Sequence, residues 1–187
     1  MLTDEVKKAV EVMKAGGLIL YPTDTVWGIG CDATNEEAVR RVFSLKQRSD
    51  SKALICLVDS PFRLTRYVRT IADVAWDLMD MATRPLTLIH DGATGLAPNV
   101  IGEDGSVAIR VTNEAFSHEL CYRFQKPVVS TSANLSGMPT PHTFSEICDE
   151  IKTGVDYVVN YSRKQRAGQP STIIRIHPNG AFTIIRP

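Results

Sequence analysis

The chain has 187 residues, of which 43% are hydrophobic and 22% are charged. These values exclude disorder as the main state, because a disordered chain has few apolar residues and a high net charge. Twenty-one Lys and Arg balance 21 Asp and Glu, so a strongly basic nucleic-acid binder is not expected. No apolar run approaches the roughly 20 residues that a membrane helix needs. The N-terminus has no apolar signal core, and we expect a cytoplasmic protein without membrane contact.

Helices and strands are predicted to alternate along the chain. Apolar residues at helical spacing predict a first helix around residues 6–13, and capping patterns that begin at Thr34, Thr70 and Thr143 predict three more. Strands are predicted at 17–21, 53–58, 85–90, 106–111, 127–131, 155–159, 171–176 and 181–186, with a hairpin turn at 177–180. This pattern predicts one α/β domain over residues 1–187, with a mixed sheet and helices packed on it.

Two segments, 91–105 and 161–170, are predicted to be loops. The second holds three cations and no anion, and it is either a mobile flap over a site or a plain solvated loop. The four cysteines form no Cys-x-x-Cys pair and the four histidines are scattered. We therefore expect reduced core cysteines and no metal site.

The first candidate binding segment spans residues 21–33, after a predicted buried strand. It is rich in small polar side chains, namely Thr23, Asp24 and Thr25. Gly28 and Gly30 would let the backbone approach a ligand closely. The third glycine of a dinucleotide fingerprint is absent and no P-loop is present. A strand-to-loop turn capped by threonines is the alternative interpretation.

The second segment carries five cations between positions 40 and 52, against a single acid. Lys46, Arg48 and Lys52 lie between a predicted helix end and a strand. Cations favour a helix C-terminus in any case. They would equally form a clamp for phosphate or carboxylate groups.

The third segment, residues 127–141, places hydroxyl and amide groups directly after a predicted strand. These groups are Ser130, Thr131, Ser132, Asn134, Ser136 and Thr140. Ligands in α/β sheets bind at such strand ends, although a turn-rich loop has a similar composition. Arg110 ends another apolar strand and needs either a partner or solvent.

These segments together resemble the YrdC-like family of threonylcarbamoyl-AMP synthases. The matching pieces occur in the family's order: YPTDTVWGIGCDA, LKQR before an apolar strand, VAIRV, STSANLSG-x-PTP, PSTI and a closing IIRP. The resemblance runs from about Gly16 to Pro187. It implies a YrdC-like fold, a twisted sheet with a positively charged concave surface.

The resemblance also implies a reaction. Members of the family combine L-threonine, bicarbonate and ATP, with Mg²⁺ on the triphosphate, into threonylcarbamoyl-adenylate and pyrophosphate. The product serves the threonylcarbamoylation of adenosine 37 in tRNAs that read codons starting with A. The implied partners are a downstream threonylcarbamoyl transferase complex and tRNA itself. No protein nucleophile is needed, because catalysis by positioning and electrostatic stabilisation suffices.

The family's roles are carried over to matching positions. The resemblance assigns the carbamate and the phosphates to Lys46 and Arg48, which are the predicted catalytic residues. The expected ATP-binding residues are Arg48, Lys52, Ser106, Ser132, Asn134, Thr140 and Arg186. The expected threonine-binding residues are Thr25, Arg110, Ser130, Ser171 and Thr23. Three departures stand out: Ser49 replaces the usual Pro, Leu57 replaces a threonine-binding His of some members, and RPLTLI replaces a Pro-Gly-Pro-Thr stretch.

Two other functions remain open from the sequence. One is a paralogue of the same fold with a different carbamoyl-adenylate activity. The other is a non-catalytic RNA-binding module, which the zero net charge and ordinary aromatic content disfavour. Dependence of the activity on threonine discriminates among the three.

Overall fold

The computed structural model describes residues 1–47, 54–164 and 166–187. Its helices are α1 Leu2–Lys14, α2 Glu36–Lys46, α3 Asp73–Met81, α4 Ala115–Phe124 and α5 Asp149–Gly154. Its strands are β1 Ile19–Tyr21, β2 Gly28–Gly30, β3 Ile55–Val58, β4 Leu86–His90, β5 Val107–Val111, β6 Val128–Ser132, β7 Tyr157–Val158, β8 Thr172–Ile176 and β9 Phe182–Arg186. Three short 3₁₀ turns occupy Pro61–Arg66, Pro98–Val100 and Phe144–Glu146.

The strands form one mixed sheet in the order β7-β1-β2-β6-β3-β5-β4-β8-β9. The pairs β1–β7, β3–β5 and β4–β8 are parallel, and the other neighbours are antiparallel. The prediction of a mixed α/β sheet is confirmed. Several neighbouring strands, such as β2 and β6, are distant in the chain, so the sheet brings the first and third candidate binding segments together.

Successive residues of a strand face opposite sides of the sheet, and each side has its own apolar layer. On β3, Cys56 and Val58 belong to the layer beneath α2 and α5, whereas Leu57 belongs to the layer beneath α1 and α4. Helix α3 covers Leu88, which pairs with Ile109 of the first layer. In the described part of the chain, α1 and α4 are thus the helices of the second face. They cover part of it, and a cavity lies on the remainder.

The predicted cap of α2 is wrong by one residue. The Oδ1 atom of Asn35 accepts the backbone N–H of Ala38 at 3.1 Å, so Asn35 is the N-cap. Thr34 instead donates its hydroxyl to Asp32 Oδ1 at 2.6 Å. The asparagine stabilises the first turn of α2 because it satisfies one of the free N–H groups there.

The two other predicted capping patterns also differ from the structure. Helix α3 begins after Ala72, so Thr70 does not cap it. The predicted helix after Thr143 is split into a 3₁₀ turn and the short α5. The carboxylate of Glu146 accepts the N–H of His142 at 2.8 Å, which holds the tight turn in place of a longer helix.

Helix α4 and strand β2 are not among the predicted elements. Glu114 caps α4, because its carboxylate accepts the N–H groups of Phe116 at 3.0 Å and Ser117 at 2.8 Å. Glutamate is an unusual N-cap, so the start signal is weak. Strand β2 contains two glycines, which disfavour strands, and it is held by pairing with β1 and β6 on its two sides.

The cysteines are free thiols. Cys31, Cys56 and Cys121 are buried and Cys148 is half-buried. Burial raises the pKa of the Cys56 thiol to about 12, so this thiol stays protonated and unreactive. Among the described residues, no helix is long and apolar enough to span a membrane.

Candidate active site

A cavity of about 280 Å³ lies on the partly uncovered face of the sheet. Its walls come from β2, β5 and β6, the start of β3, the residues just before β8 and the end of β9. Seven of the residues that the family resemblance assigns to threonine or ATP line this cavity: Thr25, Arg110, Ser130, Ser132, Thr140, Ser171 and Arg186. The fold therefore brings together predicted threonine-binding and ATP-binding residues.

Arg110 is a buried cation in the wall of this cavity. Its side chain is 3% exposed, and its Nη2 atom is 3.0 Å from Asp24 Oδ1. The same Nη2 atom donates to Thr25 Oγ1 at 3.4 Å. Its Nε atom is buried and has no hydrogen-bond acceptor within the described part of the chain. A buried donor without an acceptor is costly, so this guanidinium is suited to an anionic ligand.

Asp24 is the counter-ion of Arg110, with 13% of its side chain exposed. Burial raises the pKa of this carboxyl group above its usual value, while the charge of Arg110 opposes the increase. The carboxylate of Asp24 therefore offsets part of the cost of burying the guanidinium of Arg110.

Thr23 and Thr25 form a turn at the edge of the cavity. The Oγ1 atom of Thr23 accepts the N–H of Thr25 at 3.1 Å and donates to the carbonyl oxygen of Val26 at 2.7 Å. The two threonine hydroxyls are 3.1 Å apart. Thr25 lines the cavity and Thr23 does not, so Thr23 shapes the turn that presents Thr25.

The two glycines of β2 have different roles. Gly28 lines the cavity, and a Cβ atom there would lie 3.3 Å from Ser130 Oγ. At Gly30 a Cβ atom would lie 2.6 Å from the ring of Tyr21 and 2.8 Å from the carbonyl oxygen of Val129. The expectation of close ligand approach is thus wrong for Gly30, because protein atoms already fill that space.

Ser171 closes the side of the cavity next to β8. It is 1% exposed, and its Oγ atom is 2.9 Å from Thr87 Oγ1. The guanidinium of Arg186 donates to the Ser171 carbonyl oxygen at 2.8 and 3.0 Å and to Ser171 Oγ at 3.3 Å. These bonds fix Arg186, at the end of β9, against the cavity wall.

Lys46 is beside the cavity rather than among its lining residues. It is the last residue of α2 and is 2% exposed. Its Nζ atom donates to the carbonyl oxygens of Ser132 and of Asn134, the latter at 2.6 Å. The ammonium group therefore anchors the loop that follows β6, and its predicted catalytic role stays a prediction.

Asn134 and Thr140 line a second cavity of about 430 Å³ next to the first. The amide of Asn134 donates to the carbonyl oxygens of Leu135 at 3.0 Å and Met138 at 2.8 Å, while its buried Oδ1 atom has no partner among the described residues. Because Thr140 lines both cavities, the two spaces adjoin along the predicted nucleotide-binding loop.

Ser106, a predicted ATP-binding residue, lines neither cavity. Ser106 donates its hydroxyl to Asp104 Oδ1 at 2.6 Å. Hydrogen bonds from Ser106 and Arg175 lower the pKa of Asp104 to about 2. Arg48 and Lys52 lie outside the described residues, so their predicted roles stay predictions.

The segment 161–170 crosses the edge of the site. The N–H of Gly168 donates to the carbonyl oxygen of Thr25 at 2.6 Å, and the N–H of Ala167 donates to that of His142 at 2.7 Å. A Cβ atom on Gly168 would lie 2.9 Å from the Asp24 carbonyl oxygen, so a glycine is needed there. Gly168 thus bonds this segment to the turn that carries Thr25, while most of its described residues are exposed, so the flap and the solvated loop both stay open.

Asp24 and Thr87 were assigned no role from the sequence. Asp24 stands in the conspicuous polar segment 21–33, but its pairing with Arg110 depends on the sheet. Thr87 lies within an apolar strand, and a single threonine there carries no functional signal.

A mixed α/β sheet with a buried arginine and several hydroxyl groups around one cavity is an arrangement suited to a small anionic or zwitterionic ligand. The chain was compared with protein-family models, and the model for Sua5, YciO and YrdC, described as telomere recombination, matches residues 11–187. The chain belongs to this family, as the sequence motifs predict.

Curated and solved relatives agree with this assignment. The chain is 35% identical over 168 residues to a threonylcarbamoyl-AMP synthase of Pseudoalteromonas translucida, covering 88% of this chain and 89% of the relative. It is similar to E. coli YciO, with a TM-score of 0.83, 25% identity, and coverage of 97% of this chain and 87% of YciO.

A third relative is P. abyssi Sua5 in complex with L-threonine, with a TM-score of 0.81 and 25% identity. The match covers 91% of this chain and 50% of that Sua5, so the chain spans about half the length of this relative. The fold predicted from the sequence motifs is confirmed by these likenesses.

Proposed function

We propose that this chain is a threonylcarbamoyl-AMP synthase, which forms L-threonylcarbamoyladenylate and pyrophosphate from L-threonine, bicarbonate and ATP. The observation that carries the proposal is the buried guanidinium of Arg110 beside a cavity lined by hydroxyl groups, whose Nε atom has no acceptor among the described residues. A threonine carboxylate is a suitable anion for this donor. The names of the curated relative and of the Sua5 complex agree with that substrate.

The reaction has two bond-forming steps. The amine of threonine and bicarbonate condense to a carbamate with loss of water. A carbamate oxygen then attacks the α-phosphorus of ATP, and the bond from that phosphorus to the β-phosphate bridging oxygen breaks, which releases pyrophosphate. Bicarbonate, the carbamate and ATP are all anions. The protein therefore contributes to both steps by aligning the reactants and by supplying positive charge.

The residues around the first cavity fit the threonine half of this reaction. Arg110 would hold the carboxylate, and Thr25, Ser130 and Ser171 would offer hydroxyl groups to the rest of the amino acid. Thr23 would act through the turn that it forms with Thr25. Leu57, at the position of the family's histidine, is fully buried in the apolar layer beneath α1 and α4, so the contact of that histidine has no equivalent at this position.

The nucleotide half would use the adjoining cavity and its rim. Asn134 and Thr140 line that cavity. Ser132 and Arg186 would contribute from the first cavity, and Ser106, Arg48 and Lys52 complete the proposed set. Lys46 would approach the reacting groups from the end of α2. ATP would enter as its Mg²⁺ complex, in which the ion neutralises charge on the phosphates. The described residues form no cluster of three or more His, Cys, Asp or Glu side chains.

The wider role also belongs to this proposal. The chain would act as one YrdC-like domain with a positively charged concave surface, in the cytoplasm. Its adenylate would pass to a threonylcarbamoyl transferase complex that modifies adenosine 37 of tRNA, and tRNA would be a partner.

The test is release of pyrophosphate from ATP with bicarbonate and Mg²⁺, with and without L-threonine, together with mass analysis of the adenylate. Threonine-dependent release, weak with L-serine, supports the synthase. Release that does not need threonine contradicts it and favours the paralogue with another carbamoyl-adenylate activity. RNA binding without any release contradicts it and favours the binding module.

A further inference from the structure

Thr87 lies beneath the candidate active site without lining it. It is in β4, is fully buried, and contacts Ser171 through a hydroxyl–hydroxyl distance of 2.9 Å. The register of β4 and β5 places Thr87 opposite Arg110. Thr87 therefore adjoins two of the residues proposed to bind threonine, and neither the sequence motifs nor the relatives assign it a role.

The hydrogen bonds of Ser171 determine what its hydroxyl can offer a ligand. A serine hydroxyl has one proton and two lone pairs. Arg186 Nη2 lies 3.3 Å from Ser171 Oγ, and a guanidinium can only donate, so one lone pair is used. If Thr87 donates as well, the second lone pair is used and the proton of Ser171 is left for the cavity.

We propose that Thr87 is a positioning residue for the threonine substrate, which holds the Ser171 hydroxyl as a donor directed at the carboxylate or carbamate of the ligand. The inference rests on the proposed function. A carboxylate accepts hydrogen bonds and donates none, so a hydroxyl fixed as a donor favours this class of ligand over an ammonium or a neutral amide N–H.

The test compares Thr87→Val with Thr87→Ser. Valine keeps the shape of threonine and removes the hydroxyl, whereas serine keeps the hydroxyl. The loss of one oriented hydrogen bond is expected to raise the KM for L-threonine about fivefold to tenfold in Thr87→Val. The kcat and the KM for ATP stay within about twofold of the wild-type values, and Thr87→Ser retains the wild-type KM for threonine.

A matched control is available in Thr112. It is also fully buried, and its hydroxyl is 2.7 Å from that of Ser117. Thr112→Val removes the same group from a threonine–serine pair, at a residue that lines neither described cavity. Thermal unfolding should shift similarly for both valine variants, while the KM for threonine changes in Thr87→Val alone. An equal KM change in both variants overturns the proposal.

A double-mutant cycle with Ser171→Ala separates a positioning role from general damage. Because Thr87 acts through Ser171, adding Thr87→Val to Ser171→Ala should leave the KM for threonine unchanged. Additive effects, or a wild-type KM in Thr87→Val, overturn the proposal. These results require a wild-type enzyme with threonine-dependent pyrophosphate release; without that release the proposed function itself fails, which is a different outcome.

Discussion

Replacement of Arg110 by methionine removes the buried positive charge and retains an apolar stem. Arg110 and Asp24 are 3% and 13% exposed and lie 3.0 Å apart. Breaking a buried ion pair from one side leaves an uncompensated charge and costs about 3–5 kcal/mol of unfolding free energy. The double variant Asp24→Asn/Arg110→Met removes both charges and should recover most of that loss.

The loss of stability in Arg110→Met depends on pH. Burial already raises the pKa of Asp24 and Arg110 opposes this increase, so the pKa rises further without Arg110. A carboxyl group whose folded-state pKa exceeds its unfolded value destabilises the protein while it is ionised. The penalty is therefore present at pH 7 and decreases as the pH falls through the raised pKa. Urea unfolding at pH 7 and pH 5 measures this difference.

The same variant tests the threonine site. Loss of a charge-assisted hydrogen bond to the carboxylate, worth about 1.5–3 kcal/mol, should raise the KM for L-threonine by about 10- to 100-fold. The KM for ATP should change by less than about threefold, because the proposed function assigns Arg110 to threonine and not to ATP. Initial rates of pyrophosphate release give both constants. Equal increases in the two constants, or a stability loss that is identical at pH 7 and pH 5, would refute the reasoning.

Three further predictions concern the framework of the site. Asn35→Ala removes the α2 cap and should cost about 1 kcal/mol in urea unfolding; an unchanged midpoint would contradict the assigned cap. Gly30→Ala forces a Cβ atom to 2.6 Å from the ring of Tyr21, so overpacking should cost about 1–3 kcal/mol, and a variant as stable as the wild type would show that the sheet adjusts. Glu5 accepts the Tyr157 hydroxyl at 2.6 Å, and although burial alone raises its pKa, the hydrogen bonds lower it overall. Glu5→Gln should thus destabilise the protein at pH 7, with the difference from the wild type shrinking as the pH falls below 4; a constant difference would contradict this.

Sequence periodicity predicted most of the helices and strands, because the spacing of apolar residues depends on which side of each element is buried. Helix α1 and strands β1 and β3 to β9 have predicted counterparts, since their apolar residues recur with the period of the element. Helix boundaries were less predictable. Asn35 rather than Thr34 caps α2, and Glu114 caps α4, because several neighbouring polar side chains compete for the same free N–H groups.

Some features of the candidate site were likewise predictable from the sequence, and others were not. The sequence by itself located the three polar and basic segments and, through their motifs, the family, because these segments are contiguous in the chain. The pairing of Arg110 with Asp24, the support of Ser171 by Thr87, and the packing role of Gly30 were decided by tertiary structure alone. Each joins residues that strand order and register bring together from separate parts of the chain, and no local pattern encodes that order or register.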